Sequence, residues 1–160
     1  MNRPPPSSKG CPMDFVRLGA LVVNGFTACG EFASFAFVHP VVRRLPAEQH
    51  LTVEQGLLRT FGRVMPVLMP LTPVLTLAHA LGSQGNSRRL AMGAVGAAVA
   101  AVAVTVVGNV PINSATARWD PAAPPTDWKS TRDRWERLQA VRSPMLLASF
   151  VLLAASASDT

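Results

Sequence analysis

The chain has 160 residues, of which 49% are hydrophobic and only 15% are charged, and its formal net charge is +6. Soluble domains carry about 25% charged residues, and the basic residues here are separated by long uncharged runs, which argues against both a soluble domain and a nucleic-acid-binding patch. Because the two cysteines, Cys11 and Cys29, also lie too far apart for a Cys-x-x-Cys motif, the composition predicts a small single-domain membrane protein.

Four apolar runs predict an all-α, integral membrane four-helix bundle. The runs are 18–38, 64–81, 90–108 and 143–157. A helix of about 20 residues crosses the roughly 30 Å hydrocarbon layer, and the shorter last run is expected to reach that length by continuing a preceding helix through Pro144. Residues 18–158 are predicted to form one membrane domain, preceded by a disordered, basic, proline-rich tail at 1–17.

The first run carries a polar stripe. Asn24, Thr27, Glu31 and Ser34 follow one another at intervals of three or four residues, which places them on one helix face. Because a carboxylate that faces lipid is energetically costly, this face is predicted to point into the bundle. Uncharged polar residues in such a stripe most often make packing hydrogen bonds, whereas the ionisable Glu31 is a candidate functional residue.

The segment between the first two runs is predicted to be a helix that feeds into the second span. On it, His50 and Glu54 lie one turn apart and could supply two metal ligands, although a surface ion pair is the commoner arrangement. Arg59 and Arg63 are also one turn apart. Such arginines are typical interfacial anchors, and they could instead neutralise a buried carboxylate or bind an anionic substrate.

The second and third runs carry patterns that are typical of helix packing. Membrane helices tolerate the three prolines of the second run, and one face of that helix is predicted to be core, where methionine fills irregular gaps. That face carries Met65, Met69, Thr72, Thr76 and His79. Small residues recur every four positions in the third run, which predicts close helix packing in lipid. The two sets are Gly93, Ala97 and Ala101, and Gly96 and Ala100.

Two asparagines follow the third run. Asn109 and Asn113 flank the sequence Val-Pro-Ile at the mouth of the span. Their side-chain amides need hydrogen-bond partners, which a generic polar linker does not provide. These residues are therefore candidate functional residues.

A further helix is predicted before the last span. Trp128, Trp135 and Arg142 repeat on it every seven residues. An amphipathic interfacial helix with a belt of tryptophans and snorkelling arginines accounts for this pattern. Under this interpretation Arg132 and Arg137 reach the headgroup region.

These motifs resemble those of the anthrone-oxygenase-like family of small four-span membrane proteins. The resemblance is carried by Asn-Val-Pro-Ile-Asn at 109–113, Trp119-Asp120-Pro121, Arg134-Trp135-Glu136-Arg137 and Arg142, and it also covers Glu31 and His39-Pro40. It implies a multi-pass protein of the bacterial cell membrane. Family members with an assigned activity convert anthrones to anthraquinones in polyketide biosynthesis, with molecular oxygen as co-substrate and no obvious cofactor.

The resemblance and the topology together predict a polar pocket at one end of the bundle. With four spans, the first and third connections lie on the same side, so that their polar residues meet above Glu31. For an oxygenase, Glu31 is expected to be the base, with His39 or His50 relaying the proton. The expected oxyanion-stabilising residues are Asn109, Asn113 and Arg142. The expected substrate-binding residues are Arg59, Arg63, Met69, Trp119 and Trp135.

Two alternatives stay open at this point. In one, Glu31, His50 and Glu54 hold iron or copper. In the other, the protein is a non-catalytic membrane subunit that binds a lipid, a quinone or a partner protein. The expected partners are the bilayer and a lipophilic aromatic molecule rather than nucleic acid, and a homo-oligomer is compatible with the sequence. The charge asymmetry of the connections disappears when arginines with candidate chemical roles are left out, so orientation also stays open.

Overall fold

The structure, a computed structural model, describes residues 15–158 and contains four long helices within that range. They are α1 (Phe15–Val42), α2 (Ala47–Gly82), α3 (Gly85–Thr116) and α4 (Trp128–Ser158). Each is long and apolar enough to cross a membrane, and the described part of the chain has no strand. The predicted all-α four-helix membrane bundle is confirmed, while residues 1–14 of the predicted tail lie outside the described residues.

The helices extend beyond the predicted spans. Helix α1 begins at Phe15, within the predicted tail. Helix α2 begins in the connecting segment and continues unbroken through the three prolines of the second apolar run. Helix α4 is continuous through Pro144, so the predicted interfacial helix and the last span form one helix. The segment with Asn109 and Asn113 is likewise the last part of α3. Residues that the sequence placed in surface segments therefore belong to the bundle itself.

A wide π-helical turn interrupts both α1 and α3, at Ser34–Val38 and at Thr105–Asn109. In each case the residue before a proline donates its backbone N–H to the carbonyl five positions earlier. The prolines, Pro40 and Pro111, have no N–H, and in a regular α-helix their rings would clash with the carbonyl four residues back. The wider turn accommodates them, and such turns are frequent at functional sites.

Helix α3 packs closely on α4 through small residues. Ala91, Ala94, Ala98 and Ala101 are fully buried, at spacings of three and four. This face differs from the predicted sets, since it shares Ala101 with one of them while Gly96 is exposed. The physical reason is the helix period of about 3.6 residues, which alternating spacings follow more closely than a strict repeat of four.

The polar stripe of α1 faces the interior, as predicted. Asn24 Nδ2 donates hydrogen bonds to Thr76 Oγ1 at 3.3 Å and to Ser149 Oγ at 2.9 Å. Thr72 Oγ1 donates to Thr27 Oγ1 at 3.2 Å. These bonds tie α1 to α2 and α4 in the middle of the bundle, where side-chain hydrogen bonds between membrane helices contribute about 0.6–2 kcal/mol each.

The contact between α3 and α4 at Gly108 generates a stability prediction. A Cβ atom at Gly108 would lie 2.6 Å from Leu138 Cδ1 and 3.4 Å from Leu138 Cγ. The Leu138 side chain must therefore shift, and overpacking of this kind costs about 1 kcal/mol. Gly108→Ala is therefore expected to lower the thermal unfolding temperature of the detergent-solubilised protein. Gly96→Ala, on the same helix with no atom within 4 Å, is the control and should be neutral or stabilising because alanine favours helix. Equal unfolding temperatures for the two variants would contradict this packing.

Candidate functional site

A cavity of about 480 Å³ lies between the helices, near the α1–α2 and α3–α4 connections. Most of its wall consists of apolar side chains from α2 and α3, and polar groups from all four helices line the remainder. The polar and charged lining residues are Glu31, Ser34, His39, Glu54, Thr105, Asn113, Gln139 and Arg142. A cavity of this size, apolar with a few convergent polar groups, is typical of small-molecule sites.

The cavity opens sideways, between α2 and α3. Its exposed lining residues come from these two helices, and are Gly62, Pro66, Pro70, Val106 and Val110. They are small or apolar, and both helices are long and apolar enough to cross a membrane. In a bilayer the opening therefore faces lipid rather than water.

Glu31 is the centre of one buried charge network. Its Oε2 atom accepts hydrogen bonds from Arg142 Nη2 at 2.5 Å and from Gln139 Nε2 at 2.9 Å. Arg142 also donates from Nε to Gln139 Oε1 at 2.8 Å and from Nη1 to Thr105 Oγ1 at 2.9 Å. The network joins α1, α3 and α4, and holds the guanidinium group of Arg142 in one orientation at the cavity wall.

Glu54 is the centre of a second network. It is 2% exposed, and its Oε2 atom forms an ion pair with Arg132 Nη2 at 2.6 Å. Its Oε1 atom lies 3.3 Å from His39 Nδ1 and 3.6 Å from His50 Nε2. A carboxylate beside Nδ1 favours the tautomer of His39 that carries its proton there and leaves Nε2 as the proton acceptor. This network joins α1, α2 and α4.

Trp135 lies against the second network. Its ring centroid is 4.6 Å from that of His39, and the guanidinium carbon of Arg132 lies 4.5 Å from it on the ring face. The backbone carbonyl of Trp135 accepts a hydrogen bond from Asn109 Nδ2 at 3.3 Å. Asn109 does not line the cavity, so it is a positioning residue that docks the end of α3 on α4.

Several buried polar atoms in and around the second network have no hydrogen-bond partner within the described protein. They are Nε, Nη1 and Nη2 of Arg132, Nδ1 of His39, Nε2 of His50, Oε1 of Glu54, Nε1 of Trp135, and the Oδ1 atoms of Asn109 and Asn113. An unsatisfied buried polar atom costs about 1–3 kcal/mol, and such atoms are rare in folded proteins. The concentration of such atoms in one region indicates a site that is maintained for function rather than for stability.

The structure brings together about half of the predicted site residues. Those that line the cavity are Glu31, His39, Met69, Asn113, Trp135 and Arg142. His50 and Asn109 are buried behind this wall. Arg59 and Arg63 are exposed and line no part of the cavity. Trp119 is also outside it, where its carbonyl accepts a hydrogen bond from Gln55 Nε2 at 2.8 Å.

The three residues of the predicted metal set are divided between the two networks. His50 and Glu54 are neighbours, but Glu31 belongs to the network of Arg142. Within residues 15–158 no three His, Cys, Asp or Glu side chains are arranged to hold a metal ion. Each carboxylate of the set is already paired with a guanidinium group, which is a cation that would repel a metal.

Arg132, Gln139 and Thr105 are site residues that the sequence interpretation missed. The expectation that Arg132 reaches the headgroups is wrong, because its side chain is 1% exposed and paired with Glu54. The signal was present in α4, where the buried residues follow one another at spacings of four and three. They are Trp135, Gln139 and Arg142, preceded by Arg132, and this regular stripe marks the face that packs in the bundle.

Comparison with known proteins identifies one matching family. A family model described as Anthrone oxygenase matches residues 57–152, which is more than half of the chain. The matched range holds most of α2, all of α3 and most of α4, while α1 and the turn with His50 and Glu54 precede it. No curated protein and no solved structure matches the chain.

The buried pair of Glu54 and Arg132 generates a stability prediction. Removal of one member of a buried ion pair costs about 3–5 kcal/mol because the other charge stays buried without compensation. Arg132→Met alone should strongly lower the thermal unfolding temperature, and Arg132→Met combined with Glu54→Gln should recover much of the loss. Additive effects of the two substitutions in a double-mutant cycle would show that the pair does not interact.

Proposed function

The chain belongs to the anthrone oxygenase family, and from this membership we propose that it is a membrane-embedded oxygenase that oxidises the activated methylene group of a lipophilic, anthrone-like aromatic molecule to a ketone. The observation that carries the proposal is the apolar cavity, which opens toward lipid and has His39, Glu54 and the Glu31–Arg142 ion pair at its polar wall. The proposed setting is the cell membrane of a bacterium.

The substrate is proposed to enter from the bilayer. A fused-ring aromatic molecule partitions into lipid, and the opening between α2 and α3 offers a path that avoids water. Met65, Met69 and Leu58 form apolar parts of the wall on α2. Methionine side chains adapt to flat rings and make favourable contacts with them.

His39 is the base in this proposal, in place of Glu31. Protonation of Glu31 would break its bond to Arg142 and leave a buried guanidinium group unpaired. A proton on His39 instead forms an imidazolium ion beside Glu54, whose Oε1 is 3.3 Å away. The site then holds the anionic substrate and the imidazolium together and keeps its total charge unchanged.

Arg142 stabilises the negative charge that develops on the substrate oxygen. Glu31, Gln139 and Thr105 fix its guanidinium group before any substrate arrives. A preorganised donor in a site without water is worth more than the same donor in solution, since nothing needs to reorient during the reaction. Glu31 is therefore a positioning residue that acts through Arg142.

The proposed reaction converts one methylene group and one O2 molecule into one ketone and one water molecule. His39 removes a methylene proton, and the resulting carbanion transfers an electron to O2. The superoxide and the carbon radical form a C–O bond, and the imidazolium returns its proton to the peroxide. Removal of the second methylene proton cleaves the O–O bond, leaves the ketone, and releases hydroxide that takes up this proton as water. Oxygen is the co-substrate, and the proposal assigns no step to a metal.

Oxygen consumption with an anthrone tests the chemistry. His39→Gln is expected to lower the rate of oxygen uptake by about 100-fold or more, the usual effect of removing a general base. His79→Gln is the matched control: this buried histidine contacts Ser156 and Ser83 at the other end of α2, and its variant should keep the wild-type rate. Wild-type rates in both variants would overturn the role of His39, and no uptake by wild type with any anthrone would favour a non-catalytic binding subunit.

The lateral opening predicts that a larger side chain at its edge will weaken substrate binding. A side chain at Gly62 would meet no atom within 4 Å and would stand in the opening. Gly62→Leu is expected to raise the KM for an anthrone by about tenfold with little change in kcat, because it obstructs binding and leaves the reacting groups in place. Gly56→Leu, on the same helix, also in open space and outside the cavity, is the control. Equal KM values for the two variants would contradict entry at Gly62.

A further inference from the structure

A second cavity, of about 360 Å³, lies beside the first and has no part in the mechanism above. Its lining residues are Phe35, His39, Pro40, Arg43, Arg44, Trp135, Glu136 and Gln139. Three of them, His39, Trp135 and Gln139, also line the first cavity. These three residues therefore form a partition between the two cavities.

The second cavity opens among charged groups. Arg43 and Arg44 are exposed in the α1–α2 connection. Arg43 Nη1 lies 2.6 Å from Glu136 Oε2, and Arg43 Nη2 lies 3.4 Å from Asp133 Oδ1. Charged side chains at a helix end mark the interface with water, whereas the first cavity opens among apolar residues. The first cavity thus opens among apolar residues and the second among charged residues.

His39 is the member of the partition whose side chain can both accept and donate a proton. The charged groups around it come from three elements: Glu54 on α2, Arg132 and Glu136 on α4, and Arg43 in the α1–α2 connection. Its Nδ1 lies 3.3 Å from Glu54 Oε1. A turn of the ring or the movement of its proton can therefore connect one cavity with the other through a single side chain.

We propose that the second cavity is the aqueous port of the buried site, through which His39 exchanges protons with bulk water and the product water leaves. The inference rests on the proposed function for its chemical purpose, since oxidation of a methylene group inside lipid releases one water molecule. Water and ions pass poorly through an apolar opening toward lipid. Because Arg43 and Arg44 outnumber Glu136 at its lining, the port favours small anions over small cations.

Cysteine accessibility tests the port independently of oxygenase activity. Single cysteines are placed at Phe35→Cys in the second cavity and Met65→Cys in the first, in a background with Cys11→Ser and Cys29→Ser. The protein is held in lipid nanodiscs, which expose both membrane faces to water. A membrane-impermeant sulfonate thiol reagent should label the cysteine at 35 at least about tenfold faster than that at 65, while a lipophilic maleimide should label both, since charged reagents are excluded from lipid.

A second arm tests the charge of the port. At the cysteine at 35, the anionic sulfonate reagent should react several-fold faster than a cationic ammonium reagent of similar size, and Arg44→Gln should reduce this preference. Arg59→Gln, an exposed arginine that lines neither cavity, should leave it unchanged. Equal labelling of both cysteines by the charged reagent, or no labelling at 35, would overturn the port. Labelling as expected without any oxygen uptake would keep the port and overturn the proposed oxygenase.

Discussion

Two carboxylate–guanidinium pairs buried inside a membrane bundle are the constraint on which the rest of this structure depends. Glu31 pairs with Arg142 and Glu54 pairs with Arg132, so that α4 carries both cations and α1 and α2 carry one anion each. A single buried charge in such a place costs far more than a mismatched apolar contact. The pairs therefore fix the rotation of α4 relative to α1 and α2, and with it the place where a cavity remains.

The irregular turns of α1 and α3 help to form the same cavity. The π turns at Ser34–Val38 and Thr105–Asn109 each precede a proline and each supply residues to the cavity wall or its support. An added residue rotates the rest of the helix relative to the part before it. Thus Thr105 can reach Arg142 while Asn109, four residues later, docks on the backbone of Trp135.

The sequence allowed the spans, their number and the inward position of Glu31 to be predicted, because the cost of a charge in lipid leaves one solution. The predictions failed for Arg132, which is buried in the bundle, and for Arg59 and Arg63, which do not reach the cavity. An amphipathic pattern shows that a helix has a polar face, but whether that face meets headgroups or a second carboxylate depends on where the neighbouring helix begins. Helix α2 begins at Ala47, which makes Glu54 a residue of the bundle rather than of a surface segment.

The charge balance of the site explains why a histidine is better suited than a carboxylate to the proposed chemistry. Two acids and two arginines cancel, and a neutral substrate that gives its proton to His39 creates one anion and one cation within the same wall. No charge has to cross the apolar opening during this step. The same imidazole also lines a cavity that opens among Arg43, Arg44 and Glu136. The side chain that must gain and lose protons is therefore one of the three that separate the lipid-facing cavity from the second one.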